Sequence, residues 1–226
     1  MNKILLISLL FTVCNPGNSL DDNWRKYFAS EKSLQKGYVK TTIIDSNLGT
    51  FIYYDKVFKE QGKIFLHRYD GDFEIVREDI NTFDSEKMVL AEATYYYDGI
   101  GAVPARIIEP TIAPYKPTKE ILKSHLQFQP AESITISIVS EAKFQRFESY
   151  TFNNEDIKCL RFSYDEEYSL TNKDNPLQSF NHTTSGYTLW AENLGLIYMR
   201  FEGQRGITEF RIEKILSIEE FEKLKH

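Results

Sequence analysis

The chain has 226 residues, with 27 Lys and Arg against 33 Asp and Glu, for a formal net charge of −6. The charges are mixed throughout and form no basic block, so no nucleic-acid partner is implied. The 14 Tyr and 16 Phe suit pleated, half-buried strand surfaces, and the length suffices for one large β-domain.

The chain opens on Met1-Asn2-Lys3, an apolar run over 4–13, and the small-residue exit Gly17-Asn18-Ser19. That order predicts a signal peptide over 1–19, cleaved before Leu20. Its apolar core, about ten residues, is too short to span a bilayer, which needs about twenty. No second long apolar run follows, so no membrane span is expected after cleavage. The remaining chain, 20–226, is expected to be a single β-rich domain, secreted or periplasmic. Lipid attachment at Cys14 is disfavoured, because the branched Val13 precedes it. Cys159 is then the sole thiol and cannot form an internal disulfide. Within Ile157-Lys158-Cys159-Leu160 it reads as a small buried hydrophobe.

Asp21-Asp22-Asn23 can cap a helix over 24–37 that stops at Gly37. Trp24, Tyr27 and Phe28 are spaced i, i+3, i+4 and form one apolar stripe. The stripe packs on the sheet or faces a ligand. Strands are expected over 38–44, 50–58, 63–69 and 73–80, with a hairpin at Asp70-Gly71-Asp72. Phe51 and Tyr53 lie on one strand face, Ile52 and Tyr54 on the other. A sheet apolar on both faces is covered on both or curves around something.

Residues 81–130 read differently. A strand ends in Tyr95-Tyr96-Tyr97 before Gly99 and Gly101, and Pro104, Pro110, Pro114 and Pro117 follow. Proline at this density predicts an irregular insertion at about 102–130, a cover for the sheet. Thr118 caps an expected short helix over 121–128. Strands then follow over 133–139, 144–152 and 157–164, with loops at Asp165-Glu166-Glu167 and 171–175. The closing meander runs over 187–191, 196–201 and 207–215. In its last strand Thr208, Phe210 and Ile212 share one side, and Glu209, Arg211 and Glu213 the other, as a strand with one buried face requires. Ser217 and Glu220 stand in capping-box register before a short final helix. The fold class is therefore mainly β: a curved antiparallel meander, half-barrel or open barrel, with a few short helices and a Pro-rich cover.

The closing pattern Leu189-Trp190-Ala191, Leu194-Gly195-Leu196-Ile197 and Thr208-Glu209-Phe210, with Tyr150-Thr151-Phe152-Asn153-Asn154 and Ile157-Lys158-Cys159 upstream, resembles the TapB-like envelope proteins. These are bacterial secreted β-domains similar in shape to the lipoprotein-carrier half-barrels. The resemblance spans about 133–216 and implies a curved envelope β-domain. It carries over no catalytic residue. The family often has a small pair ending in Gly where this chain has Asn153-Asn154.

None of His67, His125, His182 and His226 sits at i, i+4 with another ligand on a helix, and there is no Cys-x-x-Cys, so no metal site is expected. Thr184-Ser185-Gly186 is not a nucleophile turn. No catalytic residue and no cofactor are expected, and the chain is read as a non-enzyme. Two functions fit. In one, a curved sheet binds a lipid or other apolar ligand, with Trp24, Tyr53, Tyr97, Trp190, Met199 and Phe210 as candidate contacts. In the other, a structural or adaptor domain binds an envelope protein through an aromatic surface that includes Tyr95, Tyr96 and Tyr97. An enclosed apolar cavity favours the first; a filled core with a flat aromatic patch favours the second.

Overall fold

Tight turns set the register of the first meander. The computed structural model describes residues 23–28, 31–204 and 206–225. The signal peptide, Cys14 and the Asp21-Asp22 cap lie outside the described residues. Strand β1 (Tyr38–Ser46) returns as β2 (Gly49–Glu60), and β2 returns as β3 (Lys63–Tyr69) through Gln61-Gly62. Gln61 and Gly62 have φ of 47° and 78°, the mirror-image turn whose twist matches the flanking strands. Next come β4 (Ile75–Phe83) and β5 (Lys87–Tyr97). The Asp70 hairpin forms as expected: its carboxylate accepts from the backbone N–H groups of Asp72 and Glu74, both at 3.0 Å.

Three short strands follow: β6 (Gly101–Pro104), β7 (Arg106–Glu109) and β8 (Ile112–Pro114). The second meander holds β9 (Leu122–Ala131), β10 (Ile134–Phe152), β11 (Glu155–Asn172), β12 (Phe180–Ala191), β13 (Gly195–Gly203) and β14 (Gly206–Leu216). Pairing of β1 with β14 joins both meanders into one 14-stranded antiparallel sheet, in the order β6-β5-β4-β3-β2-β1-β14-β13-β12-β11-β10-β9-β7, with β8 on β5. The two ends of that order, β6 and β7, are consecutive in sequence, with only Ala105 between them. The sheet therefore curls back on itself as a nearly closed barrel with a seam. Side chains pack the seam: the Tyr95 and Phe128 rings stack at 4.4 Å, and Leu90 and Ala93 meet Leu126.

Several expectations need correction; the strands expected over 133–139 and 144–152, for one, are the single strand β10. The 121–128 helix is strand β9. Its even residues Ser124, Leu126 and Phe128 are buried while Lys123 and Gln129 are exposed, a period of two that two-sided pairing enforces. Thr118 still accepts the Glu120 N–H at 3.1 Å, but it caps a turn. The Pro-rich segment forms short strands that cover the seam, not an irregular lid over a sheet face. Finally, Asp165-Glu166-Glu167 is not a loop but part of β11, paired on both sides. Asp165 and Glu167 point out to water, so their charge does not interrupt the ladder.

The expected N-terminal helix is two short turns, α1 (Arg25–Phe28) and α2 (Glu31–Leu34). Gly37 ends this region at φ 65°; a Cβ there would lie 2.6 Å from the Ile218 Cδ1. The Trp24–Tyr27–Phe28 stripe packs on Leu160 and Phe162 of β11. The C-terminal helix α3 (Ile218–Leu224) carries the complete capping box, with Glu220 N–H to Ser217 Oγ at 3.2 Å and Ser217 N–H to Glu220 Oε2 at 2.7 Å. Its Phe221 packs on Val39 and Leu216. Val39 alternates with Tyr38 and Lys40, which face the interior, so α3 covers the outer face.

Candidate functional site

Strand alternation aims one set of side chains into the barrel, and they line a partly open pocket of about 420 Å³. Ligand pockets commonly span about 300–1,000 Å³. Phe28 of α1 and Leu34 of α2 line it from one end. The wall built by β1–β5 contributes apolar Val57, Ile64, Leu66 and Met88, and also Lys40, Arg68, Arg77 and Asp79. The wall built by β9–β13 is mostly apolar and hydroxylic: Leu122, Leu126, Phe162, Trp190 and Met199, with Ser124, Ser140, Tyr164 and Thr188, and it adds the charged Lys123 and Glu166.

Register brings the charged groups together. Asp55 stands opposite Lys40 on β1 and Arg68 on β3. Its carboxylate is only 3% exposed. It accepts from Arg68 Nε at 2.6 Å and Nη2 at 3.0 Å, and from Thr42 Oγ1 at 3.2 Å. Burial alone would raise the Asp55 pKa. The Arg68 charge and hydrogen bonds, with Lys40 and Thr42, outweigh it and hold the carboxyl below the ordinary aspartate range. Asp79, also buried, accepts from Arg77 Nε at 2.8 Å, and the Arg77 guanidinium sits 5.0 Å from the Tyr95 ring centre. Lys40 is 7% exposed, and its Nζ donates to the Leu196 carbonyl at 3.0 Å. Burial pulls the Lys40 pKa down to about 8, against the pull of Asp55 and with the help of Arg68. On the other wall the Tyr164 hydroxyl donates to Glu166 at 2.7 Å, and Ser124 and Ser140 share a 2.6 Å hydrogen bond.

Of the six candidate contacts, Trp190 and Met199 line the cavity. The Trp190 ring lies 5.0 Å from Phe28, and its Nε1–H donates to Thr188 Oγ1 at 3.1 Å. Tyr53 and Phe210 flank the Arg68 guanidinium, their ring centres 5.7 and 5.8 Å away, and do not line the cavity. Trp24 is sealed in the core against Phe144 and Phe162. Tyr97 packs on Phe128 at 6.2 Å in the seam. The expected exposed surface of Tyr95, Tyr96 and Tyr97 is not formed. All three are half-buried, Tyr95 stacks on Phe128, and the Tyr96 hydroxyl donates to Glu78. Cys159 is fully buried among Leu189, Ala191 and Ile197, on the face opposite Trp190. Desolvation pushes its thiol up to about 12. Among the described residues no group of three or more His, Cys, Asp or Glu is placed to hold a metal ion.

The lumen charges Lys40, Asp55, Arg68, Arg77 and Asp79 were not anticipated. A signal existed: Ile64, Leu66 and Arg68 share one strand face, so a face apolar at two positions carries its third into the same interior.

No protein-family model matches the chain, and no curated protein is significantly similar to it in sequence. Solved structures do match. A candidate lipoprotein from Parabacteroides distasonis superposes with a TM-score of 0.54 at 12% identity, over 84% of this chain and 97% of that one. The likeness is one of fold. A candidate exported protein with a YmcC-like fold from Bacteroides fragilis superposes with a TM-score of 0.50 at 11% identity, over 80% and 96% of the two chains. The resemblance drawn over 133–216 thus holds in its coarser form, as a likeness of fold to a candidate lipoprotein and a candidate exported protein; neither neighbour bears the TapB name.

Proposed function

We propose that this chain is a non-enzymatic binding protein of the bacterial envelope whose barrel holds an acyl chain or similar apolar ligand. The observation that carries this is the roughly 420 Å³ cavity, walled by apolar side chains from both meanders and marked by a few convergent polar groups. That combination is the usual make-up of a small-molecule site. The expected leader over 1–19 supports an envelope address. So do the fold neighbours, described as a candidate lipoprotein and a candidate exported protein. The TapB-like resemblance stands within this proposal. The tyrosines that would have carried a protein interface are taken up by the seam and by Glu78.

The two tryptophans supply the test. Trp190 lines the cavity and Trp24 does not. A fatty acid brominated along its chain should quench part of the tryptophan emission of the wild type and almost none of the emission of Trp190→Phe. Equal quenching of both proteins, or none of either, contradicts the proposal.

A further inference from the structure

We infer that Lys40 anchors an anionic head group, so that the ligand is a single-chain amphiphile ending in a carboxylate or phosphate. This rests on the binding function proposed above and narrows its ligand class.

The charged wall holds three cations, and they are not equivalent. Arg68 is matched by Asp55 through two hydrogen bonds. Arg77 is matched by Asp79. Lys40 has no such partner: no ion pair reaches it among the described residues, and its one hydrogen bond goes to the neutral Leu196 carbonyl. Asp55 is the carboxylate that faces it across the strands, yet both Asp55 oxygens are engaged by Arg68 and Thr42. Of the two acids that line the cavity, Asp79 is taken by Arg77 and Glu166 is held by Tyr164 on its own strand.

An ammonium has three donors, so Lys40 keeps two for a ligand. The nearby Tyr38 ring, 5.7 Å away, offers only its π-face. Asp55 is shared with Arg68, so this group of three keeps one buried positive charge in excess, which is costly, and a bound anion offsets that cost. The surroundings fit a head group joined to a tail. Lys40 borders the cavity together with apolar Leu34, Leu66, Trp190 and Leu196. Glycine at position 195 leaves room beside the ammonium, since a Cβ there would come within 3.3 Å of Nζ. The lowered Lys40 pKa, about 8, reports the same desolvation and leaves the group mostly protonated at neutral pH.

The test uses the full chain and a neutral apolar fluorophore, N-phenyl-1-naphthylamine, as the displaced probe. Palmitate, 1-palmitoyl lysophosphatidate and hexadecanol compete with it in turn. A charge-assisted hydrogen bond predicts that the better anionic competitor binds at least about tenfold more tightly than the alcohol. The carboxylate and phosphate arms tell the two head groups apart. In Lys40→Met the preference should collapse to about twofold or less, with hexadecanol and probe binding unchanged, while Lys40→Arg keeps it. Lys40→Gln serves the same purpose should the methionine variant fold poorly. Equal competition by acid and alcohol in the wild type, or a preference that survives in Lys40→Met or Lys40→Gln, overturns the head-group assignment but leaves the apolar site standing. A wild type that binds neither probe nor competitors overturns both.

Discussion

The two walls of the barrel obey one geometric rule and use it for different chemistry. On β1–β5 the inward positions carry Lys40, Asp55, Arg68, Arg77 and Asp79. On β9–β13 they carry Leu122, Leu126, Phe162, Trp190 and Met199, and the polar groups are mainly hydroxyls. Stability alone does not explain the first wall, because replacing buried ion pairs with well-packed apolar residues is often neutral or stabilising. The difference suggests a division of labour. Under the proposed function the apolar wall would supply surface for a hydrocarbon chain, while the charged wall would hold itself in register and leave one ammonium available.

The largest expected effect breaks the charged wall. Asp55→Ala removes a buried carboxylate and leaves the half-buried Arg68 unpaired, which should cost about 3 kcal/mol in urea unfolding. Replacing both partners, Asp55→Leu with Arg68→Met, should recover most of that loss. The Asp55 carboxyl is held below its ordinary value of 3.8 in the folded protein. Its stabilising contribution is therefore full above that value and is lost as pH falls through the lower folded one. The double variant should accordingly show a flatter acid limb in a stability–pH profile.

Next comes the apolar wall. Trp190 is half-buried, so Trp190→Ala should cost about 2 kcal/mol, less than the roughly 3–5 expected for the sealed Trp24→Ala. Only the Trp190 change should also lower affinity for the apolar probe. Equal thermal shifts for the two variants would erase the contrast.

Lys40 should act with the opposite sign. Its folded pKa of about 8 lies below the ordinary 10.5. Between those values the unfolded state binds more protons, so wild-type stability rises with pH there. Lys40→Met should therefore stabilise the ligand-free protein at pH 7 by on the order of 1–3 kcal/mol, with the advantage fading by pH 10. Unfolding curves at both pH values check this. The smallest effect belongs to an exposed ion pair. Lys123 and Glu141 pair at 2.7 Å with side chains 51% and 42% exposed, so Lys123→Ala should leave the unfolding midpoint almost unchanged, because solvent screens such a pair.

The closing strands and the first hairpins were the most legible parts. In β14, Phe210 and Ile212 alternate with Glu209, Arg211 and Glu213, and the burial follows. Ser217 and Glu220 announced their helix, and Asp70-Gly71 its hairpin, because these signals are local. Barrel closure was not local. Nothing within the stretch containing Pro104 says that β6 and β7 lie at opposite ends of one sheet. The 121–128 segment also fits a helix by composition until β7 and β10 pair with it. The charged interior was hidden for a related reason. Nothing local to Lys40 or Asp55 marks them as interior; strand register sets them opposite each other. Trp190 and Met199 were found because they are large and apolar; Lys40 was missed because its burial depends on partners far along the chain.

Native mass spectrometry of the protein, purified without detergent from the cells that produce it, tests the central claim most directly. The expected result is a fraction of molecules carrying one additional mass in the range of a single-chain amphiphile. That mass should be released on denaturation, recovered in an organic extract, and diminished in Lys40→Met. A protein that carries no ligand, and takes up neither palmitate nor lysophosphatidate when they are added, would contradict the claim that the barrel interior is a binding site.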